Sequence, residues 1–215
     1  MPALFKWGGR KDASASVRPS PVAETPETLS TSKVLPRLLA ALATVPSPVL
    51  MDLGPVVGGN IAFFGEQLAC KIFVEDLFAE VERQAQAGTR EGLGDVLLGR
   101  LDRPKGSLDG VLCWDLFDFL DKPTGQAIAT RLVSLLRPGG VIYGFFGQAS
   151  TELTQYTRFI VEGPNTMRLR TAPATPTKRS VILSRDLNRM FDGLAVAESV
   201  LLKNSSRETL FRKPF

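Results

Sequence analysis

The feature that most constrains this chain is residues 49–61, where an apolar run of strand length leads into a glycine-containing loop. Asp52 ends the apolar run, and Gly54, Gly58 and Gly59 follow before residues with helical spacing. A strand, a glycine loop and a helix in this order are typical of the first βα turn of an open parallel sheet. Glycines allow close backbone approach, and the helix start presents free N–H groups. The segment therefore predicts a cofactor-binding corner.

Apolar runs of strand length continue to alternate with segments of helical spacing after this corner. We expect helices at 60–70, 77–87 and 124–136, and further strands at 71–74, 111–114 and 141–146. The segment 89–107 is rich in glycine and predicts a short, poor strand or none. This βαβ alternation is typical of a parallel sheet that is covered on both faces.

The pattern changes after Gly147. Residues 148–180 contain two strand-like runs around Gly163, which predict a hairpin, and the Pro/Thr-rich residues 171–178 predict a loop. A short helix and two final strands are expected at 186–191, 195–202 and 208–212. The expected fold is therefore α/β, with a mostly parallel sheet, an antiparallel C-terminal hairpin and helices on both faces.

The N-terminal residues 1–30 are rich in Ser, Pro, Ala and Thr. Such a segment buries too little apolar surface to offset its ordering entropy, so we predict a flexible tail. Ser32 and its neighbours can cap a helix that begins near Leu35. We expect residues 31–215 to form a single domain, in which 148–180 is an elaboration.

Composition excludes several kinds of chemistry. The chain of 215 residues has no histidine, which excludes histidine bases, histidine metal ligands and Ser-His-Asp triads. Two cysteines, no secretory segment and no apolar stretch of membrane length predict a cytoplasmic protein with buried thiols. Residues 165–215 carry ten basic and four acidic side chains, an excess that suits an anionic substrate or a nucleic acid. We favour a solvated surface, which is the more ordinary role of such side chains.

Four segments, taken in order, resemble the motifs of class I S-adenosylmethionine-dependent methyltransferases. They are residues 51–58, 74–77, 108–116 and 135–142, and the resemblance covers about 33–215. It implies S-adenosylmethionine as cofactor and methyl transfer by in-line displacement. Residues 114–117 do not resemble the Asn-Pro-Pro-Tyr sequence that accompanies amino-group targets in bases and glutamine, so a small-molecule substrate is implied. The elaboration at 148–180 would select that substrate.

The resemblance also implies roles for particular residues. Those implied in cofactor binding are Asp52, Gly54, Gly58, Glu75, Asp76, Asp95 and Trp114. Successive strand residues point to opposite faces, so one of Glu75 and Asp76 would reach the ribose, and we favour Asp76. Asp95 would flank the adenine after a third strand. Asp115 would lie where the reactive end of the cofactor meets the substrate, as the catalytic residue.

Four alternatives stand beside these roles. Asp115 is nearly as well placed to be the N-cap of a helix at 116–120, and Trp114 to be a core residue. Other candidate bases are Glu152, Tyr143 and Tyr156. Pro55 and Val56 replace the usual glycine–any residue–glycine of the first motif, which removes a donor and adds bulk. A catalytically inactive binding or scaffold protein of the same fold is therefore the alternative function.

Overall fold

Nine strands form two sheets in the computed structural model, which describes residues 27–89 and 91–215. They are β1 (Glu27–Thr31), β2 (Val49–Asp52), β3 (Lys71–Val74), β4 (Leu108–Trp114), β5 (Leu136–Gly147), β6 (Glu152–Gly163), β7 (Thr166–Lys178), β8 (Ala195–Leu201) and β9 (Ser206–Arg212). Six of them form the central sheet, in the order β3-β2-β4-β5-β9-β8. The first four run parallel, and β9 is antiparallel to both neighbours, which confirms the predicted sheet.

Helices cover both faces of this sheet, as the sequence predicts. They are α1 (Leu35–Leu42), α2 (Gly58–Leu68), α3 (Leu77–Gln86), α4 (Leu93–Arg100), α5 (Lys122–Leu135) and α6 (Ser184–Met190), with a 3₁₀ turn at Leu116–Phe119. Alternate residues of β4 enter different cores because successive side chains point to opposite faces. Val111 and Cys113 pack with α3 to α6, whereas Leu112 and Trp114 pack with α1 and α2.

The start of α1 is fixed by the predicted cap. The Ser32 hydroxyl accepts hydrogen bonds from the backbone N–H groups of Val34 and Leu35, at 3.1 and 2.7 Å. These bonds satisfy two donors that a helix start leaves without intrahelical partners. The Ser32 hydroxyl also bonds to the buried carboxylate of Glu208 on β9, so the cap ties α1 to the central sheet.

A second, antiparallel sheet has the order β1-β7-β6 and contains the predicted hairpin. Residues 171–178, expected as a loop, belong to β7, because pairing with β6 continues as far as Glu152 and Lys178. Residues 27–30, predicted in the flexible tail, instead lie in β1, which pairs with β7 in register from Glu27 to Arg170. Both predictions are wrong at these positions, since composition does not reveal pairing with a distant strand. The rest of the tail lies outside the described residues.

The third strand implied by the resemblance is absent from the described part of 89–107, which forms α4 instead. The strand β3 is therefore an edge strand of the central sheet. Two arginines from this segment lie beside it. The Arg103 guanidinium carbon is 3.4 Å from the centre of the Phe73 ring, and Arg100 Nη2 donates to the carbonyl of Glu75 at 2.7 Å. The prediction that Asp95 follows a third strand is wrong.

Both cysteines are free thiols, as expected. Burial raises the pKa of Cys70 to about 11 and raises that of Cys113 further. Both thiols are therefore protonated at neutral pH and are poor nucleophiles. Among residues 27–89 and 91–215, no helix is long and apolar enough to cross a membrane.

Candidate functional site

The acid of the predicted corner, Asp52, is bonded to the protein itself. Its side chain is 2% exposed. One carboxylate oxygen accepts the backbone N–H of Gly54 at 2.9 Å and the indole N–H of Trp114 at 2.6 Å. Burial raises the pKa of Asp52 to about 6, although these hydrogen bonds lower it. The carboxylate therefore orients the loop and the indole.

The indole of Trp114 fills the space beside Gly54. A Cβ atom on Gly54 would lie 2.4 Å from Cδ1 of the indole, so this position requires glycine because of a protein side chain. Trp114 has a φ of 47°, which is uncommon for a bulky residue. Its ring stacks on Phe159 of β6 with centroids 5.1 Å apart, and Phe159 stacks on Phe145 at 4.7 Å. Trp114 is thus a core residue, as the alternative interpretation has it.

The hairpin of β6 and β7 is anchored on the helices that flank the corner. Asn60 of α2 donates to the carbonyl of Phe159 and accepts the N–H of Val161, both at 2.8 Å, much as a neighbouring strand would. On the other side, Glu82 of α3 accepts the backbone N–H and the hydroxyl of Thr175. The strand β6 therefore lies across the start of α2.

Part of the corner is open. A Cβ atom on Gly58 would meet nothing within 4 Å. Asp76 follows β3, and one of its oxygens accepts the N–H of Ala79 at 3.1 Å. The other oxygen has no hydrogen-bond donor among the described residues. The charge of Asp76 contributes to the raised pKa of Asp52, so the two acids are near each other.

The remaining predicted acids lie away from this open part. Glu75 is ion-paired with Arg100 and Arg103, with nitrogen–oxygen distances of 3.6 Å in both pairs. Asp95 is exposed in the first turn of α4. Of the two candidates for the ribose, Asp76 is the one that retains a carboxylate oxygen for a ligand.

A cavity of about 420 Å³ lies next to Phe159. Its walls are formed by the hairpin, by β1 and β5, by the start of the 3₁₀ turn and by the turn between β8 and β9. Its lining includes Asp115, Asp118, Phe145, Thr157, Phe159 and Arg179. The volume lies within the usual range of small-molecule sites.

Asp115 is the predicted site residue that this cavity contains. It precedes the 3₁₀ turn, but its side chain makes no capping hydrogen bond. Burial and the charge of Asp118 raise its pKa to about 7, against the opposing effects of Arg179 and a hydrogen bond with Thr157. A carboxyl group in this pKa range is suited to exchange protons near neutral pH.

Asp118 is held more tightly than Asp115. One oxygen accepts the N–H of Gly147 at 2.8 Å, and the other lies 3.0 Å from Nε of Arg179. The Arg179 side chain occupies the space beside Gly147, where a Cβ atom would lie 2.4 Å from its Cδ. This ion pair is therefore fixed by packing.

The other candidate bases are less suited to this role. Tyr143 is buried and bonded to Glu208, and burial raises its pKa well above the ordinary value. The hydroxyl of Tyr156 accepts from Arg158 at 2.9 Å, and Glu152 is exposed. Sequence reasoning missed Asn60, Thr157 and Arg179, because their roles depend on where the hairpin packs.

Comparison with known proteins places the fold. No family model matches the sequence, and no curated protein matches it significantly. The 1,6-didemethyltoxoflavin-N1-methyltransferase of Burkholderia thailandensis, solved with 1,6-didemethyltoxoflavin and S-adenosylhomocysteine, is 17% identical over 85% of this chain and 78% of its own, with a TM-score of 0.50. An S-adenosylmethionine-dependent methyltransferase from Clostridium acetobutylicum is 10% identical over 86% and 93%, also with a TM-score of 0.50. The chain has the class I methyltransferase fold.

One end of the corner is open to a ligand. The Asp76 oxygen that has no donor among the described residues and the open space at Gly58 suit a ribose, since a carboxylate accepts hydrogen bonds from hydroxyls. The space beside Gly54 is filled by the indole of Trp114. A methyltransferase cofactor that reached from Asp76 towards Asp115 would have to displace that ring.

Proposed function

We propose that this protein is an S-adenosylmethionine-dependent methyltransferase whose small-molecule substrate binds in the cavity beside Asp115. One observation carries the proposal. In a methyltransferase fold, an acid with a pKa raised to about 7 follows β4 and lines a cavity of about 420 Å³. A general base is most effective when its pKa lies near the operating pH, and the chain has no histidine for that role.

The corner and the cavity beside Asp115 have different roles in this proposal. S-adenosylmethionine, when bound at the corner, supplies an electrophilic methyl group. Asp76 accepts hydrogen bonds from ribose hydroxyls, and Gly58 leaves room for the ligand. Asp115 takes up a proton from the substrate at its carboxylate. Methyl transfer requires the methyl group and the substrate to meet, so the Trp114 ring that fills the space beside Gly54 has to move when both are bound.

Calorimetric titration with S-adenosylmethionine and S-adenosylhomocysteine tests the proposal. Asp76→Asn keeps an oxygen for the Ala79 cap and tolerates the φ of 36° at this position, but it loses the carboxylate charge. We expect affinity to fall at least about tenfold, the equivalent of about 1.4 kcal/mol. Glu75→Gln is the matched control and should leave affinity unchanged. The absence of detectable binding at millimolar cofactor would contradict the proposal.

The second candidate is a catalytically inactive binding protein of the same fold. It is favoured by the indole in the Gly54 space and by the bonds between Asn60 and β6. The chain has two tryptophans, so Trp7→Phe leaves Trp114 as the only indole fluorophore. A change in its emission during cofactor titration supports the methyltransferase. Unchanged emission together with no heat of binding supports the inactive protein.

A further inference from the structure

The cavity beside Asp115 is lined by two acids but by one arginine. Two carboxylates, Asp115 and Asp118, line it, and Arg179 is the cation that pairs with one of them, Asp118. Lys203 also lines the cavity, but it is exposed and therefore hydrated. Asp115 is half-buried and has no ion pair among the described residues, so this arrangement favours a ligand that brings a positive charge.

We propose that the cavity binds a small organic cation, an amine in its ammonium form with an aromatic or apolar body, and that Asp115 is its counter-ion. An ammonium group can donate hydrogen bonds to Asp115 and balance its charge, which gives a charge-assisted bond. Asp118 is already bonded through both oxygens, to Gly147 and Arg179, and so is not the contact point.

The walls of the cavity suit the rest of such a ligand. Phe145 and Phe159 stack with centroids 4.7 Å apart and are each 7% exposed. Met167 and Leu169 also line the cavity. Apolar walls bind an apolar body. The lining thus combines the carboxyl group of Asp115 with an apolar surface formed by these four residues.

An anionic ligand suits the cavity less well. Arg179 is half-buried, and its guanidinium is paired with Asp118 and packed against Gly147. To bind a carboxylate or a phosphate it would have to leave Asp118, whose buried carboxylate would then lack this partner. The solvent-exposed Lys203 contributes little, because water screens its charge.

The proposal implies a particular pH dependence. The groups that face Asp115 are Asp118 from the 3₁₀ turn, Thr157 from β6, Arg179 after β7 and Lys203 from the β8–β9 turn. Burial and Asp118 raise the pKa of Asp115 to about 7. An ammonium ion binds the ionised carboxylate, so affinity should increase as the pH rises through 7.

Three ligands that differ mainly in charge test the proposal: benzylamine, benzyl alcohol and benzoate, titrated calorimetrically into the full chain without cofactor at pH 6 and 8. We expect benzylamine to bind at least about tenfold more tightly than benzyl alcohol at pH 8, with benzoate weakest, and to weaken at pH 6. Equal binding of amine and alcohol, or tightest binding of benzoate, would overturn the proposal.

Asp115→Asn provides the matching variant and should abolish the preference for the amine. Asp102→Asn is its control, because that side chain is 97% exposed and the chemical change is the same. An amine preference that survives Asp115→Asn would overturn the assignment. If Asp115→Asn does not fold, the pH dependence of the unaltered protein decides the question.

Identifying the cation as a substrate rests on the proposed function, whereas its binding does not. Amine binding without cofactor binding supports the cation site and overturns only the methyltransferase. Cofactor binding without an amine preference supports the methyltransferase and overturns only the cation site. A negative result in one titration therefore leaves the other proposal standing.

Discussion

Asp52 is bonded to Trp114, whereas Asp115 lines the cavity that Phe159 also lines, and burial raises the pKa of both acids. Asp52 belongs to the glycine loop that the sequence marks as a ligand site, but its partners are Gly54 and Trp114. Asp115 belongs to no comparable glycine motif, yet it lines a cavity. A motif of an acid and glycines can therefore be satisfied by the protein's own side chains, and a cavity is the better indication of a ligand.

The largest loss of stability should come from adding a methyl group at Gly54, where the Trp114 indole fills the neighbouring space. In Gly54→Ala the new Cβ would lie 2.4 Å from the Trp114 ring, so the packed indole or the loop must move. Overpacking of this kind costs about 1–3 kcal/mol or more, and we expect the upper end because the indole is also bonded to Asp52. Urea unfolding followed by circular dichroism measures the loss.

Gly58→Ala is the matched control within the same loop. Its Cβ would meet nothing within 4 Å, and Gly58 is the first residue of α2, where alanine favours the helix. Stability should change by less than about 1 kcal/mol, while cofactor affinity should fall because the methyl group enters the open space. Equal losses of stability in the two variants would contradict the distinction between the filled and the open part.

The next effect on stability concerns the hairpin of β6 and β7, which Asn60 anchors to α2. Asn60 is 2% exposed, and Asn60→Ala would leave the carbonyl of Phe159 and the N–H of Val161 without partners. Buried unsatisfied groups cost about 1–3 kcal/mol each, so we expect a loss of about 2–3 kcal/mol. Hydrogen exchange at Val161 should accelerate. The control is Gln67→Ala on the exposed face of α2, and equal exchange in both variants would exclude this anchoring role.

The pH dependence of stability separates Asp52 from the cavity acids. Because its pKa is raised from 3.8 to about 6 in the folded protein, Asp52 contributes stability at low pH that is lost as the pH rises through 6. Asp52→Asn removes this titration, while Asp115 and Asp118 still titrate in both proteins. Urea unfolding between pH 4 and 7 should show a flatter profile for the variant, with a difference on the order of 2–3 kcal/mol. Parallel profiles would refute the raised pKa.

The fold was largely predictable from local patterns, whereas the site was not. The alternation of apolar runs and helical spacing placed β2 to β5 and the C-terminal pair β8 and β9, because each element carries its own periodicity. The strand β1 and the extension of β7 were missed, since their residues are mostly polar residues, alanines or prolines and gain strand structure by pairing with distant residues.

The site depends on contacts that no local pattern encodes. Trp114 fills the Gly54 space because β6, about forty residues later in the chain, places Phe159 against its ring. The cavity beside Asp115 likewise exists because the hairpin returns over the sheet to place Thr157 and Arg179 there. Sequence reasoning selected Asp115 from its position after a strand, but not the side chains that surround it.

The smallest predicted effect concerns Thr157, whose replacement should change the pKa of Asp115 and the affinity for benzylamine. The hydrogen bond of this side chain lowers the pKa of Asp115, so Thr157→Val should raise that pKa slightly while keeping the shape of the side chain. The pH at which benzylamine binding strengthens should shift upwards, and affinity at pH 7 should fall about two- to threefold, since one pKa unit corresponds to a tenfold change in ionisation. Thr154→Val, at an exposed position of the same strand, is the control. A downward shift would mean that the hydroxyl favours the protonated acid, and that Asp115 meets its ligand as a donor and not as a counter-ion.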